Sequence, residues 1–429
     1  MCGIAGFLSN QEWKVDIGLE WIKEAHGSIF KIVNERKDFK RLRDPINRMI
    51  NNFDQLMRFS FHFQLVSDSK FFALVEDLAI LMQKAVSLMS DEPASELHEA
   101  LRQELLDFIW QIRAEVLDNV TRTDHIISPH LSSLGANRSR LFVAWSIERI
   151  LENIDRLEVR GRDSAGVSIQ CLIDRESLDS NNIGPGGLGY VFGKRSRLEG
   201  GVKIVYRGID LDSRWLVVTF VYKVANLVGH LGDNTRLLRS AIRNDQELWK
   251  LARFIEKINI LAHTRWASNG IISIANCHPV DGELFANEDN ESIYDRECQF
   301  VLNGDVDNYH DLVEKAVHQK GFQIDPSVTT DAKILPLFYR LGTNLSKPAV
   351  IRFAELMNSC EGSLAIVMQN PRSPHELIMG QKGSGQSLFV GTPADGFILA
   401  SEVYGLANWT RSCLALSGLE KSGTEVTIS

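Results

Sequence analysis

From about Gln11 to Arg140 the chain is nearly free of glycine and proline, and its apolar residues return every three or four positions. Phe71, Val75, Leu78, Met82, Ala85 and Met89 form one stripe, and Leu97, Leu101, Leu105, Phe108, Ile112 and Val116 form a second. That spacing gathers apolar side chains on one face of a helix, whereas the two-residue repeat of a strand would scatter them over both faces. The block is expected to be an all-helical bundle or arm of about four helices, with weaker helical stretches at 13–33 and 45–61. Asp91-Glu92-Pro93 reads as a cap followed by proline in a first turn. No catalytic constellation stands in it, so it reads as a structural or interaction module.

The flanks have a different texture. Residues 1–10 read as one short strand, with Ile4, Gly6 and Leu8 alternating against Gly3, Ala5 and Phe7. From 141 onward α and β patterns mix. Helices are expected over 143–157, 235–258, 309–319 and 331–341. Strands are expected around 167–169, 202–206, 215–221, 260–262, 300–302, 363–368, 388–390 and 397–400. The stretch 179–189 reads as a loop. With 429 residues the chain has length for two or three domains, or for one domain carrying a large insertion. A net charge of -8 argues against a nucleic-acid binder that works by bulk charge. Apolar runs such as 215–222 have strand length, well short of the ~18 residues of a membrane helix. The start of the chain has no basic, apolar leader pattern, so a cytoplasmic location is expected.

Six cysteines, at 2, 171, 277, 298, 360 and 413, are too few for a disulfide scaffold, and no pair is spaced as CxxC for structural zinc. Five are expected to be small buried residues. The run Gly184-Pro185-Gly186-Gly187-Leu188-Gly189 fits GxGxxG but lacks the strand before it and the helix after it, and reads as a surface loop. Neither a cofactor nor a metal is expected.

Cys2 is the exception among the cysteines. Removal of Met1 would make it the first residue, with a free α-amino group whose pKa of about 7.7–8 lies near the working pH. That amine can accept the thiol proton and later donate it to a leaving amine, so one residue supplies nucleophile and base. Further blocks stand downstream: Arg160-Gly161-Arg162-Asp163-Ser164-Ala165-Gly166, then Ala262-His263-Thr264-Arg265-Trp266-Ala267-Ser268-Asn269-Gly270, Asn276-Cys277-His278-Pro279, Asn303-Gly304-Asp305-Val306-Asp307-Asn308-Tyr309 and Thr329-Thr330-Asp331.

In this order behind Met-Cys-Gly-Ile, the blocks resemble class II glutamine amidotransferases, the N-terminal-nucleophile hydrolases with a cysteine nucleophile. The likeness is greatest to the glutaminase domain of the glucosamine-6-phosphate synthase family (glutamine–fructose-6-phosphate aminotransferase), which reads approximately HTRWATHG, NAHP, HNG-x-x-x-NY and RGYDSAG. It covers residues 1 to about 9 and about 145 to 429, with an extra stretch between Gly166 and His263, and omits 11–140. It implies an α+β fold: a four-layer αββα sandwich with the helical block inserted after the first strand. The domains would then be 1–10, the insertion 11–140, and the remainder 141–429.

The resemblance also implies roles. Cys2 attacks the γ-amide of glutamine, and Asn303 and Gly304 supply an amide N–H and a backbone N–H to the oxyanion. Arg265 offers its planar fork to the α-carboxylate, and Asp331 takes the α-ammonium. Trp266 matches a residue that closes over the glutamine, although a core aromatic is an equal reading. Ser268 and Asn269 stand where the family usually has Thr and His, which leaves the carboxylate contacts less defined. Arg162 replaces a usual Tyr and Cys277 a usual Ala. His263 and His278 read as scaffold hydrogen-bonders, and Arg160 and Asp163 as structural. The implied partners are glutamine and an ammonia-accepting synthase or isomerase domain, with fructose-6-phosphate as acceptor there; a homo-oligomer is expected, with contacts assigned to the helical insertion. Rival readings are a glutaminase of the asparagine-synthetase or purine-amidotransferase kind, and a non-catalytic partner-binding relic.

Overall fold

The computed structural model describes residues 2–35, 39–90, 96–134, 137–179, 193–225, 230–282, 285–286, 293–320, 323–341 and 347–416. Fourteen strands run in chain order among these residues: β1 (Gly3–Ser9), β2 (Ser164–Asp174), β3 (Arg195–Glu199), β4 (Val202–Asp210), β5 (Trp215–Ala225), β6 (Ile255–Arg265), β7 (Phe285–Ala286), β8 (Gln299–Gly304), β9 (Gln323–Ile324), β10 (Leu364–Gln369), β11 (Leu377–Lys382), β12 (Phe389–Gly391), β13 (Gly396–Ala400) and β14 (Cys413–Ala415). They make a nine-stranded sheet in the order β14-β12-β13-β1-β6-β2-β5-β4-β3, a three-stranded sheet β11-β10-β8 and the small pair β7-β9. The strand pairs are antiparallel.

The alternation of side chains along these strands builds four layers. Ile4, Leu261, Val390 and Leu399 of the large sheet meet Val301, Ala365 and Val367 of the three-stranded sheet in a shared core. On the other face of the large sheet, Ala5, Phe7, Ile260 and Ala262 pack against Phe142, Trp145, Ile150 and Leu157 of the helix Arg138–Leu157. The outer face of the small sheet, through Phe300, Leu302 and Ile366, is covered by the helices Ile334–Leu341 and Ala349–Ser359. Helix, sheet, sheet, helix is the expected sandwich. Gly3 is where the central helix comes closest to β1, since a Cβ there would lie 2.6 Å from Leu157 Cβ.

Between β1 and the helix Arg138–Leu157 the described elements are helical. Ser69–Met89 carries the first stripe and is capped by the Asp68 carboxylate, which accepts the N–H groups of Lys70 and Phe71. The second stripe runs through Glu96–Trp110 and a π-helical stretch, Gln111–Leu117. Twenty-nine buried residues from Ile22 to Val116 form a core of their own. The block also reaches into the sandwich: Trp13, Phe59, Ile126 and Ile127 belong to the core beneath the large sheet. Trp13 stacks on Phe142 with centroids 4.3 Å apart and planes at 5°.

Several sequence expectations need correction. The helix expected over 235–258 is two helices, Asp233–Asn244 and Gln246–Leu251, followed by β6 from Ile255. Ile255 and Ile258 mimic a helical step because the β2–β6 register shifts between Leu172 and Ile173, a bulge that adds one residue to the strand repeat. The stretch 45–61 is broken into Arg43–Asn51, Phe53–Leu56 and Phe59–Ser67, the first ended where Asn52 Nδ2 donates to Arg48 O at 2.8 Å. Within 13–33, Trp13 lies in a short 3-10 turn and the helix begins at Glu20. Strands β3 and β11 and the helix Ala349–Ser359 lie where neither was expected. Cys413 is exposed on the edge strand β14, unlike the other four cysteines expected to be buried. The Asp91-Glu92-Pro93 cap and the glycine run 184–189 lie outside the described residues. No described helix is long and apolar enough to cross a membrane.

Candidate active site

Strand register brings the sequence blocks together. Gly3 pairs with Thr264 and Ser164 with Arg265, so Cys2 enters its strand beside the residue that ends β6. Strand β8 of the second sheet ends at the same place, with Asn303 opposite Ala365 and Gly304 opposite Leu364. Cys2, Arg265, Asn303 and Gly304 therefore stand together at neighbouring strand ends.

The Cys2 thiol is half-buried and lies against the Trp266 peptide, whose N–H donates to Sγ at 3.3 Å and whose carbonyl lies 3.6 Å from it. Burial raises the thiol pKa above its ordinary value. The Trp266 N–H and the Arg265 charge act against that rise, and the Asp305 charge adds to it. A thiol held this way ionises reluctantly and needs a base beside it.

Asn303 is buried and donates from Nδ2 to the Cys2 carbonyl at 2.9 Å. Its amide has a fixed sense: Oδ1 lies 3.2 Å from His263 Nε2, which is also 2.9 Å from Leu302 O. With both oxygens on one side, Nε2 carries the proton and the Asn303 NH2 faces Cys2. Burial pushes the His263 pKa down to about 3 and lowers that of His278, whose Nδ1 is 3.3 Å from His263 Nε2. Both histidines hydrogen-bond within the scaffold. Gly304 has φ +94°, and a Cβ there would lie 2.0 Å from Ser363 O, so no other residue fits this turn.

Arg265 is 3% exposed. Its guanidinium is oriented by its own loop, Nη2 donating to Asn269 O and Nη1 reaching Ile271 O at 3.5 Å. Asn276 fixes that loop to the opposite wall: Nδ2 donates to Ile271 O at 2.9 Å, while Oδ1 accepts the N–H groups of Thr329 at 2.7 Å and Thr330 at 2.9 Å. Asp331 follows at once. Its carboxylate accepts the Val306 N–H at 2.8 Å, and its pKa is raised by burial, with a further contribution from the Asp305 charge. Thr330 takes the N-cap position of the 3-10 turn Asp331–Lys333. Among the described residues Arg265 and Asp331 form no salt bridge, with each other or with a third group.

Trp266 is 51% exposed, which rules out the reading as a core aromatic. Ser268 donates from Oγ to Asp305 Oδ1 at 2.6 Å, and Asn269 Nδ2 donates to the same oxygen at 2.9 Å. Asp163 accepts the Ala267 N–H at 2.8 Å, and Arg160 pairs with Glu402 at 2.7 Å, both scaffold contacts near the thiol. Sequence reasoning gave no role to Asp305 or Asn276. Each stood inside a quoted block, Asp305 directly after Gly304, and that adjacency was the available signal. Among the described residues no His, Cys, Asp or Glu group has the arrangement of a metal site.

The thiol of Cys2, the Asn303 amide, the Arg265 guanidinium and the Asp331 carboxylate thus stand on neighbouring segments of the fold. No family model matches the chain. It is 26% identical over 235 residues to a glutamine–fructose-6-phosphate aminotransferase [isomerizing] of Chlamydia pneumoniae, covering 55% of this chain and 34% of the relative. The Encephalitozoon cuniculi enzyme of the same name is 32% identical over 147 residues (33% and 20%), and that of Saccharomyces cerevisiae 25% over 244 (56% and 25%). The chain thus spans about a third or less of the length of these curated relatives. A solved glutamine phosphoribosylpyrophosphate amidotransferase from B. subtilis aligns over 62% of this chain and 42% of its own, at 13% identity and a TM-score of 0.36.

In sequence the chain is similar to class II glutamine amidotransferases. Within that class its curated relatives are named glutamine–fructose-6-phosphate aminotransferase, and that is the family it resembles.

Proposed function

We propose that the chain hydrolyses glutamine to glutamate and ammonia through a Cys2 thioester. The observation that carries this is the Asn303 amide oriented onto the Cys2 carbonyl, beside an Arg265 guanidinium and a buried Asp331 carboxylate that are in no salt bridge among the described residues. Arg265 and Asp331 suit the two charges of an amino acid, and the thiol then meets its side-chain amide.

With Met1 removed, the Cys2 α-amine takes the thiol proton. Sulfur attacks the γ-carbonyl carbon, and the C=O electron pair moves onto oxygen. One Asn303 Nδ2 hydrogen stays on the Cys2 carbonyl, which leaves the second to stabilise that oxyanion together with the Gly304 N–H. The tetrahedral intermediate collapses by breaking the C–N bond, the α-ammonium protonates the departing nitrogen, and ammonia leaves. Water, deprotonated by the same amine, attacks the thioester carbonyl, releases glutamate and returns the thiol. The exposed Trp266 is placed to close over bound substrate.

The further reading is that the ammonia serves amino-sugar synthesis by an isomerase domain, in the same longer chain or a partner, with fructose-6-phosphate as acceptor. Residues 11–140 are proposed as the insertion within a glutaminase domain made of 1–10 and 141–429. The six free cysteines suit a reducing, cytoplasmic setting.

The test is glutamate release from L-glutamine by the purified chain and by Cys2→Ala. The variant is expected to keep the melting temperature and to lose release to background. Hydrolysis at the wild-type rate by Cys2→Ala overturns the mechanism. The mass of active protein should lack Met1.

A further inference from the structure

Ser268 and Asn269 occupy positions suited to a substrate α-carboxylate, yet each directs a hydrogen to Asp305. The Ser268 hydroxyl has a single proton, and at 2.6 Å from Asp305 Oδ1 that proton is committed. What Ser268 offers a ligand is lone pairs. Asn269 spends one amide hydrogen on the same oxygen at 2.9 Å. Asp305 Oδ2 receives neither donor. With one Asn269 hydrogen left over, this corner of the site is still dominated by acceptors and the Asp305 charge, which repel a carboxylate and suit a cation.

The charge count points the same way. Among the described residues neither Asp305 nor Asp331 is in a salt bridge, and neither is Arg265. The two carboxylates sense each other, since the Asp305 charge disfavours ionisation of Asp331. Asp331 is 5% exposed, with Oδ2 accepting the Val306 N–H and Oδ1 3.3 Å from Thr330 Oγ1. Asp305 is the more open of the two. A single positive group between them would relieve the repulsion and complete both acceptor sets, while Arg265 remains for a negative group.

We propose that Asp305 is a substrate-binding residue that shares the α-ammonium group of glutamine with Asp331, and that Ser268 and Asn269 hold Asp305 in place rather than contact the α-carboxylate. This rests on the glutaminase reading and adds a specificity-determining residue to it. It predicts strong discrimination against a γ-amide acid that lacks the α-amino group.

The experiment follows protection of Cys2 from alkylation by iodoacetamide in the full chain, a readout that needs no turnover. L-glutamine and glutaramic acid, its analogue without the α-ammonium, are compared as protectants of wild type, Asp305→Asn and Ser268→Ala. Asp305→Ser serves if Asp305→Asn fails to fold. In Asp305→Asn the half-protecting concentration of glutamine should rise at least tenfold, with that of glutaramic acid within twofold of wild type. Ser268→Ala should raise the glutamine value only two- to threefold. Equal losses for both ligands in Asp305→Asn, or no loss, overturn the proposal, as does a Ser268→Ala loss of tenfold or more for glutaramic acid. Protection of the wild type without glutamate release would defeat the hydrolysis reading alone. No protection of the wild type by glutamine defeats both.

Discussion

Two buried charge clusters flank the large sheet, and they are built on opposite plans. Along the helix Arg138–Leu157, charges are closed among themselves. Arg239 Nε donates to both Glu148 oxygens at 3.0 and 3.1 Å and Nη2 pairs with Asp155 at 2.7 Å, Arg122 pairs with Glu152 at 2.6 Å, and Arg156 pairs with Glu115 at 2.6 Å. At the strand ends around Cys2, the charges of Arg265, Asp305 and Asp331 meet neutral hydroxyls, amides and backbone groups. A buried charge is costly unless it is paired. The helix side meets that cost with ion pairs, Arg149 excepted, which lies over the Trp145 and Trp409 rings, whereas on the proposed function the charges at Cys2 meet it with a ligand. On the proposed function, the contrast separates charges that hold the chain from charges that hold a substrate.

That contrast can be broken most directly at Arg239. Arg239→Ala leaves Glu148, 1% exposed in its side chain, with only the more distant Arg122 at 3.9 Å. Stability is expected to fall by about 3 kcal/mol, read as the denaturation midpoint at constant slope, while the folded fraction still binds glutamine. A loss under about 1 kcal/mol would place Arg239 with the open charges.

Arg265→Lys tests the other side. Lysine keeps the charge but loses the planar fork and the loop contacts made through Nη1 and Nη2. The glutamine concentration for half-maximal hydrolysis should rise roughly ten- to thirtyfold, or about 1.4–2 kcal/mol, with the melting temperature nearly unchanged. An unstable variant with intact affinity would assign Arg265 to structure.

Just below pH 6.5 the effect of pH is the smallest of the three, and it concerns both regions. His263 beside the site and His62 beside Arg149 are held neutral by burial, each with its pKa lowered to about 3. A lowered pKa means that the unfolded chain binds more protons between about 6.5 and 3. The stability these groups contribute is complete above the unfolded value and drains as pH falls through that window. Unfolding midpoints should decline gradually from pH 6.5 downward. Replacing His62 by Phe should flatten the decline, and an unchanged slope would count against it.

How much of this was legible in the sequence follows from range. Short-range repeats announced the helices 69–89 and 96–110, and alternation announced β1. The bulge opposite Leu172 was illegible, because the extra residue it adds to β6 turns the two-residue repeat into a three-residue step that reads as helix. The residues of the site could be named from motif order, since Cys2, Arg265, Asn303 and Asp331 sit in recurrent blocks. Their relations could not. That Ser268 gives its proton to Asp305 is a fact about the ends of β6 and β8, 37 residues apart in sequence. Likewise, the stripes at 71–116 implied a separate helical body, but the insertion of Trp13 and Phe59 under the large sheet ties it to the sandwich. Arg149 repeats the lesson, seated over the rings of Trp145 and Trp409 and donating to Met57 O at 3.4 Å.

Strand β1 lies between β6 and β13, with Ala5 opposite both Ala262 and Ala400. Its two neighbours therefore come off the ribosome hundreds of residues after it. The strand bearing the thiol is translated early but has to wait, unpaired, until most of the chain is made. Loop closure over such separations is slow compared with helix formation. The helical block that follows β1 can assemble while it waits. The candidate site is thus assembled late, a delay that keeps Cys2 apart from Asn303 and Gly304 until the sandwich that orders them has formed.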